Sequence, residues 1–168
     1  MTLHFLTAPM VHWPEVVMTY VPEELTLFSA AAFGKFGVYG ADPDNWTDEA
    51  RRYYFNICGK YGQQVSAALR KVTALSVDGH QVYEAVRLYL LWSSYQPETE
   101  GVLVAYASIH GHTREAALKF AEVLKERGAM QVKTIDLTRD DLSEALSQAF
   151  RFSRLALCCS SYDGTMFT

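Results

Sequence analysis

The chain of 168 residues carries a formal charge of −4, with 49% hydrophobic and 20% charged residues, the balance of a globular protein of one ordinary domain or two small ones and not of a disordered or fibrous chain. Its 15 basic residues are scattered, without a stripe able to neutralise a phosphate backbone, which argues against nucleic acid as a partner. No apolar run approaches the roughly 20 residues that cross a bilayer, and Met1 to Met10 lack the charged start and long apolar stretch of a signal peptide, so no membrane partner is expected and the cytoplasm is the expected location.

In chain order, Leu3 to Leu6, Val16 to Val21 and Leu25 to Phe28 read as short strands, broken by Pro14, Pro22 and polar turns. A glycine-rich stretch follows from Gly34 to Gly40. A helical region begins near Thr47, carries Tyr53, Tyr54, Ile57 and Tyr61 at helical spacing, and continues, interrupted around Gly62, to Leu75. Another helix spans Val82 to Trp92. Strands first and helices after describe an α+β or αββα layer. The polar stretch Gln96-Pro97-Glu98-Thr99-Glu100-Gly101 then breaks the pattern, and it divides the chain into domains 1–96 and 97–168.

Beyond the break, Val102 to Ala107 is an unbroken apolar run, as in a strand buried on both faces of a parallel sheet. From Thr113 the period becomes helical, with Ala116, Ala117, Phe120, Ala121 and Leu124 on one face and Gly128 placed to stop the helix. Gln131 to Ile135 reads as a second strand. Leu142, Ala145, Leu146, Ala149 and Phe150 form the apolar side of a second helix, and Asp141 with Glu144 offers a capping-box-like start. Leu155 to Cys159 is a third strand, apolar on both faces and therefore expected to be interior, with helices over both faces and a neighbour on each side. This succession predicts an α/β fold with a parallel sheet, the opening half of a doubly wound arrangement with strand order 2-1-3. Cys58, Cys158 and Cys159 are too few for a disulfide framework, and the adjacent pair has no zinc-ligand spacing, so they are expected to be core thiols.

The loop between the first of these strands and its helix is Ser108-Ile109-His110-Gly111-His112-Thr113. A phosphate there could accept bonds from backbone N–H groups at the helix start and gain from the helix dipole, with Ser108 and Thr113 adding hydroxyl donors and Gly111 a permissive backbone. The plainer alternative is that Thr113 caps a helix and Ser108 ends a strand. The loop is neither a Walker A sequence nor the dinucleotide fingerprint. The third strand ends in Ser160-Ser161-Tyr162-Asp163-Gly164. With order 2-1-3 this lies beside the first loop at the carboxyl edge of the sheet, where open α/β sheets bind ligands. An aromatic ring such as Tyr162 could stack there on a planar cofactor, or it could be an ordinary surface tyrosine.

Tyr106-Ala107-Ser108-Ile109-His110-Gly111-His112-Thr113 resembles the FMN phosphate loop of the flavodiiron proteins, usually Ser-x-x-Gly-Asn-Thr, with His112 in the Asn place. Ser161-Tyr162-Asp163 is similar to that family's second FMN loop, Thr-Tyr-Asn, which borders the isoalloxazine ring. The resemblance continues upstream through Leu91-Trp92-Ser93-Ser94-Tyr95, His12-Trp13-Pro14 and Leu27 to Gly34. It implies that residues 1–96 are the C-terminal part of a metallo-β-lactamase-like αββα domain and residues 97–168 the first half of a flavodoxin-like FMN domain. The implied cofactor is FMN, held by Ser108 to Thr113 and by Ser160 to Gly164. The implied activity is that of an electron-transfer oxidoreductase that reduces dioxygen or nitric oxide with a redox partner protein.

Iron enters only through the same resemblance. His12 matches a family iron ligand and His80 a further one, but Ala31 stands where the family has a bridging aspartate, and the His-x-Glu-x-Asp ligand motif is absent. Two histidines without carboxylates are too few for a two-iron centre, and both also fit hydrogen-bonded structural roles. The resemblance further implies that the family's later strands and third flavin loop are missing, so that the chain is either a fragment or completed by a second copy or a complementing chain. Three functions follow: an FMN-binding electron-transfer segment without a working diiron site, a non-catalytic remnant or assembly subunit, and a metallo-β-lactamase-superfamily hydrolase. The absent ligand motif speaks against the last.

Overall fold

The computed structural model describes residues 1–38, 45–77 and 80–167, with the side chains of His80 and Gln81 outside the description. Asp78, Gly79 and the end of the glycine-rich stretch at Gly40 therefore lie outside the described residues. The chain divides into two compact units, Met1–Gln96 and Pro97–Thr168.

In the first unit, β1 (His4–Thr7), β2 (Val17–Val21) and β3 (Thr26–Phe28) form an antiparallel sheet with β2 in the middle. Alternation along β2 buries Met18 and Tyr20 on one face, and the Tyr20 hydroxyl donates to the Ser76 carbonyl at 2.5 Å. On the other face, Phe5, Thr19 and Phe28 stand in register, with Phe5 and Phe28 largely exposed. The helices are α1 (Trp46–Ile57), α2 (Gly62–Thr73) and α3 (His80–Ser93), with a 3-10 turn at Gly59–Tyr61 between the first two. Gly62 is required by close approach, because a Cβ there would lie 2.5 Å from the Ser93 carbonyl oxygen. The core is aromatic. Tyr54, Tyr89 and Trp92 pack with ring centroids 5.1 to 5.4 Å apart, within the range where tilted and edge-on rings attract.

In the second unit, β4 (Thr99–Ala107), α4 (His112–Glu126), β5 (Val132–Asp136), α5 (Leu142–Arg151) and β6 (Phe152–Cys159) alternate, and the parallel sheet runs β5-β4-β6. The central strand explains its own apolar run: Leu103 and Ala105 face Ile135, Ala145 and Phe152, while Val104 and Tyr106 face Ala117 and Ala121 of α4. A hairpin of β7 (Ser161–Tyr162) and β8 (Thr165–Met166) follows.

Several sequence expectations fail on packing. Ala117 and Ala121 of α4 are buried, but Ala116 and Phe120 are exposed, and the partly buried Leu118 joins the cluster in their stead. In α5 the small Ala145 and Ala149 approach the sheet, leaving Leu142 and Leu146 exposed and burying Ser147 and Gln148. The expected double coverage of the third strand is absent. Leu155 and Leu157 are 48% and 55% exposed, because the cluster under α5 is built from β4, β5 and the start of β6. Cys58 alone is fully buried; Cys158 and Cys159 on β6 are partly buried, Cys158 against the cluster of Val104 and Tyr106, and all three are free.

Candidate cofactor site

The carboxyl ends of β4 and β6 meet in register at Ala107 and Cys159. Immediately beyond, Gly111 takes φ 94, a left-handed conformation that favours glycine, and starts α4 one residue earlier than the sequence suggests. Glu115 is the first residue of the helix to close a backbone bond, onto the Gly111 carbonyl at 2.9 Å, and Gly111 offers no side-chain cap. The amides of His112, Thr113 and Arg114 therefore have no acceptor among the described residues. They form the positive end of the helix dipole. Arg114 contributes through its backbone amide, which no residue type marks in a sequence.

The loop is internally braced. The Gly111 amide donates to Ser108 Oγ at 3.0 Å, so this amide serves the loop itself, while the Ser108 hydroxyl keeps its own proton to donate. Ile109, His110 and His112 are exposed. Across the gap between the two loops, Thr113 Oγ1 lies 2.8 Å from Ser160 Oγ, and either hydroxyl can be the donor. Ser160 is also held by its backbone, its amide donating to the Ala107 carbonyl at 3.4 Å and its carbonyl accepting from Phe167 at 2.8 Å.

The remaining sequence-selected residues form the hairpin. Ser161 pairs with Met166 and Tyr162 with Thr165, around Asp163 and Gly164 at φ 47 and 74, the paired positive values of a tight hairpin turn for which Asp-Gly is favoured. Tyr162 is 65% exposed, with its ring edge-on to Phe167 at 6.4 Å. The donor set around Gly111 fits a phosphate monoester: free amides at a helix start and hydroxyls that can donate.

Among the described residues no comparable set surrounds His12. His12 is half-buried with its ring 5.7 Å from that of Trp13, and the side chain of His80 lies outside the described residues. Among the described residues no three His, Cys, Asp or Glu side chains come together as a metal site. Nor, among these residues, is any helix long and apolar enough to cross a membrane.

No family model matches the chain. Its sequence is 27% identical over 186 aligned residues to the anaerobic nitric oxide reductase flavorubredoxin of Aeromonas hydrophila and 28% identical over 186 to that of Escherichia coli, in each case over 98% of this chain. It spans 37% and 38% of the length of these relatives. Among solved structures, the flavodiiron protein of Giardia intestinalis matches with a TM-score of 0.87 at 22% identity, over 98% of this chain and 44% of that one. The rubredoxin oxygen:oxidoreductase of Desulfovibrio gigas matches with a TM-score of 0.85 at 20% identity, over 98% and 46%. Those structural likenesses carry the α/β fold, and the sequence relatives make this chain similar, over nearly its whole length, to a part of the flavorubredoxins.

Proposed function

We propose that the chain binds FMN through its phosphate at the start of α4, with Tyr162 and the rest of the hairpin beside the flavin ring, as the electron-transfer segment of a flavodiiron-type oxidoreductase. Residues 97–168 then act as the first half of a flavodoxin-like domain and residues 1–96 as the end of a metallo-β-lactamase-like one. The observation that carries this reading is the Thr113 to Ser160 contact at 2.8 Å, which joins the two loops at one sheet edge, beside amides without acceptors. FMN, when bound, supplies one- and two-electron redox chemistry. The chain's own part is to hold the phosphate with the amides of His112, Thr113 and Arg114 and the hydroxyls of Thr113 and Ser108, and to offer an aromatic ring to the flavin.

The names of the relatives point to nitric oxide or oxygen as the terminal substrate of the whole protein, reached in the cytoplasm with a redox partner protein and as a homo-oligomer or with a complementing chain. These belong to the proposal. The residues described around His12 do not fit an iron pair.

Titration of the purified chain with FMN, followed by flavin fluorescence and visible absorption, tests the reading. Saturable binding is expected, and Thr113→Val should weaken it by about 1 to 3 kcal/mol, the usual cost of a lost hydrogen bond to a charged group. A chain that takes up no FMN overturns the proposal and favours the non-catalytic alternative.

A further inference from the structure

We propose that Ser160 is a positioning residue for phosphate recognition, acting through Thr113 and not by touching the ligand; this rests on the FMN reading above. A hydroxyl has one proton to give. In the Thr113–Ser160 pair, at 2.8 Å, one of the two must be the acceptor. A phosphate oxygen beside the helix start has only lone pairs, so Thr113 can donate to it only when its own oxygen accepts from Ser160. The order of donation is then fixed: Ser160 to Thr113, Thr113 to phosphate.

Ser160 is suited to the task because its backbone does not move independently of the sheet or the hairpin. Its amide is tied to Ala107 at the end of β4 and its carbonyl to Phe167 beyond β8. The hydroxyl is therefore presented from a tethered point, and a donor at the Thr113 oxygen both orients the threonine proton outward and polarises it, as in any short hydroxyl chain. Thr113 in turn sits in the first turn of α4, where its side chain and its amide belong to the same donor set. Loss of Ser160 should leave the phosphate loop in place but with a threonine hydroxyl free to turn away.

The test is a double-mutant cycle on the full chain, with FMN and riboflavin as the two titrants. Ser160→Ala should weaken FMN binding roughly three- to tenfold, the net worth of one such hydrogen bond, and leave riboflavin binding unchanged, since riboflavin lacks the phosphate. Ser160→Thr, which keeps a hydroxyl on a residue suited to a strand end, should restore FMN affinity. In a Thr113→Val background, Ser160→Ala should have no further effect, because its only route to the ligand is gone. A merely structural serine would weaken both flavins alike, and its loss would add to that of Thr113. Either result, or an unchanged FMN affinity in Ser160→Ala, overturns the inference while FMN binding by the unaltered chain stands. Failure of the unaltered chain to bind FMN overturns the parent reading and this inference together.

Discussion

Burial alone separates Cys58 from the other two thiols. It is 3% exposed beneath the aromatic core of the first unit, and desolvation pushes its thiol from 9.0 up to about 11. The same cause, with Cys58 adding a smaller contribution, pushes the Tyr54 and Tyr89 hydroxyls upward from 10.0. For all three the folded state favours the neutral form. Their contribution to stability is therefore complete below the unfolded values and is lost as pH rises from 9.0 towards the folded ones, because the unfolded chain ionises first. Chemical denaturation between pH 8 and 11 should accordingly show stability flat at first and falling above about pH 9. A first unit that stays equally stable across this range would mean that these groups are less enclosed than their exposure indicates. Thiol counting gives a second readout: Cys158 and Cys159 should react with an aromatic disulfide at pH 8 in the folded chain and Cys58 only after unfolding, since the thiolate is the reactive form.

Among the elements, α5 shows most clearly what the sequence could and could not say. Its start was legible, and the Asp141 carboxylate caps it by accepting from the Ser143 amide at 2.7 Å. Its buried side was not, because Leu142 and Leu146 outweigh Ala145 and Ala149 in hydrophobicity, whereas close approach to the sheet selects for small side chains. That choice buries Ser147 with a hydroxyl that has no partner among the described residues. Ser147→Ala removes an unsatisfied polar atom and improves helix propensity, so it should stabilise the second unit by about 0.5 to 1.5 kcal/mol in urea unfolding. A destabilised variant would reveal a hydrogen bond that the serine makes. The candidate site divides in the same way. The β4 run and the helix after it were legible from apolar pattern, since a central parallel strand is buried on both faces. The bond between Thr113 and Ser160 was not, as nothing in a sequence registers two side chains 47 positions apart. The hairpin was hidden for another reason: Asp163-Gly164 is a strong turn signal, but its strands have two residues each and show no alternation.

At the scale of the whole molecule, β6 is, like β5, an outer strand of the second unit's sheet among the described residues. β6 pairs with β4 along one edge, and among the described residues no strand pairs with the other. Leu155 and Leu157 stand on the same face as Leu103 and Ala105, to which they are registered, yet they are about half exposed where those are buried. Leu142 and Leu146 of α5 are exposed as well. An apolar edge strand with free backbone donors and acceptors is a template for another strand, which natural sheets guard against with charge, proline or a bulge. The middle of β6 has none of these: Arg154 is its one charged residue and lies at the end away from the candidate site. The isolated chain should therefore self-associate, and flavin held by two loops beside an open edge should bind more weakly than in a closed pocket. Size-exclusion chromatography with light scattering, with and without excess FMN, measures the first, and the expected result is a mass above that of one chain that rises with concentration. Leu157→Lys places a charge on the open edge and should shift the population towards the single chain without changing β4 or α4. A monodisperse single chain for the unaltered protein would mean that this edge is covered from within, and the same mass distribution in Leu157→Lys would place the contact elsewhere.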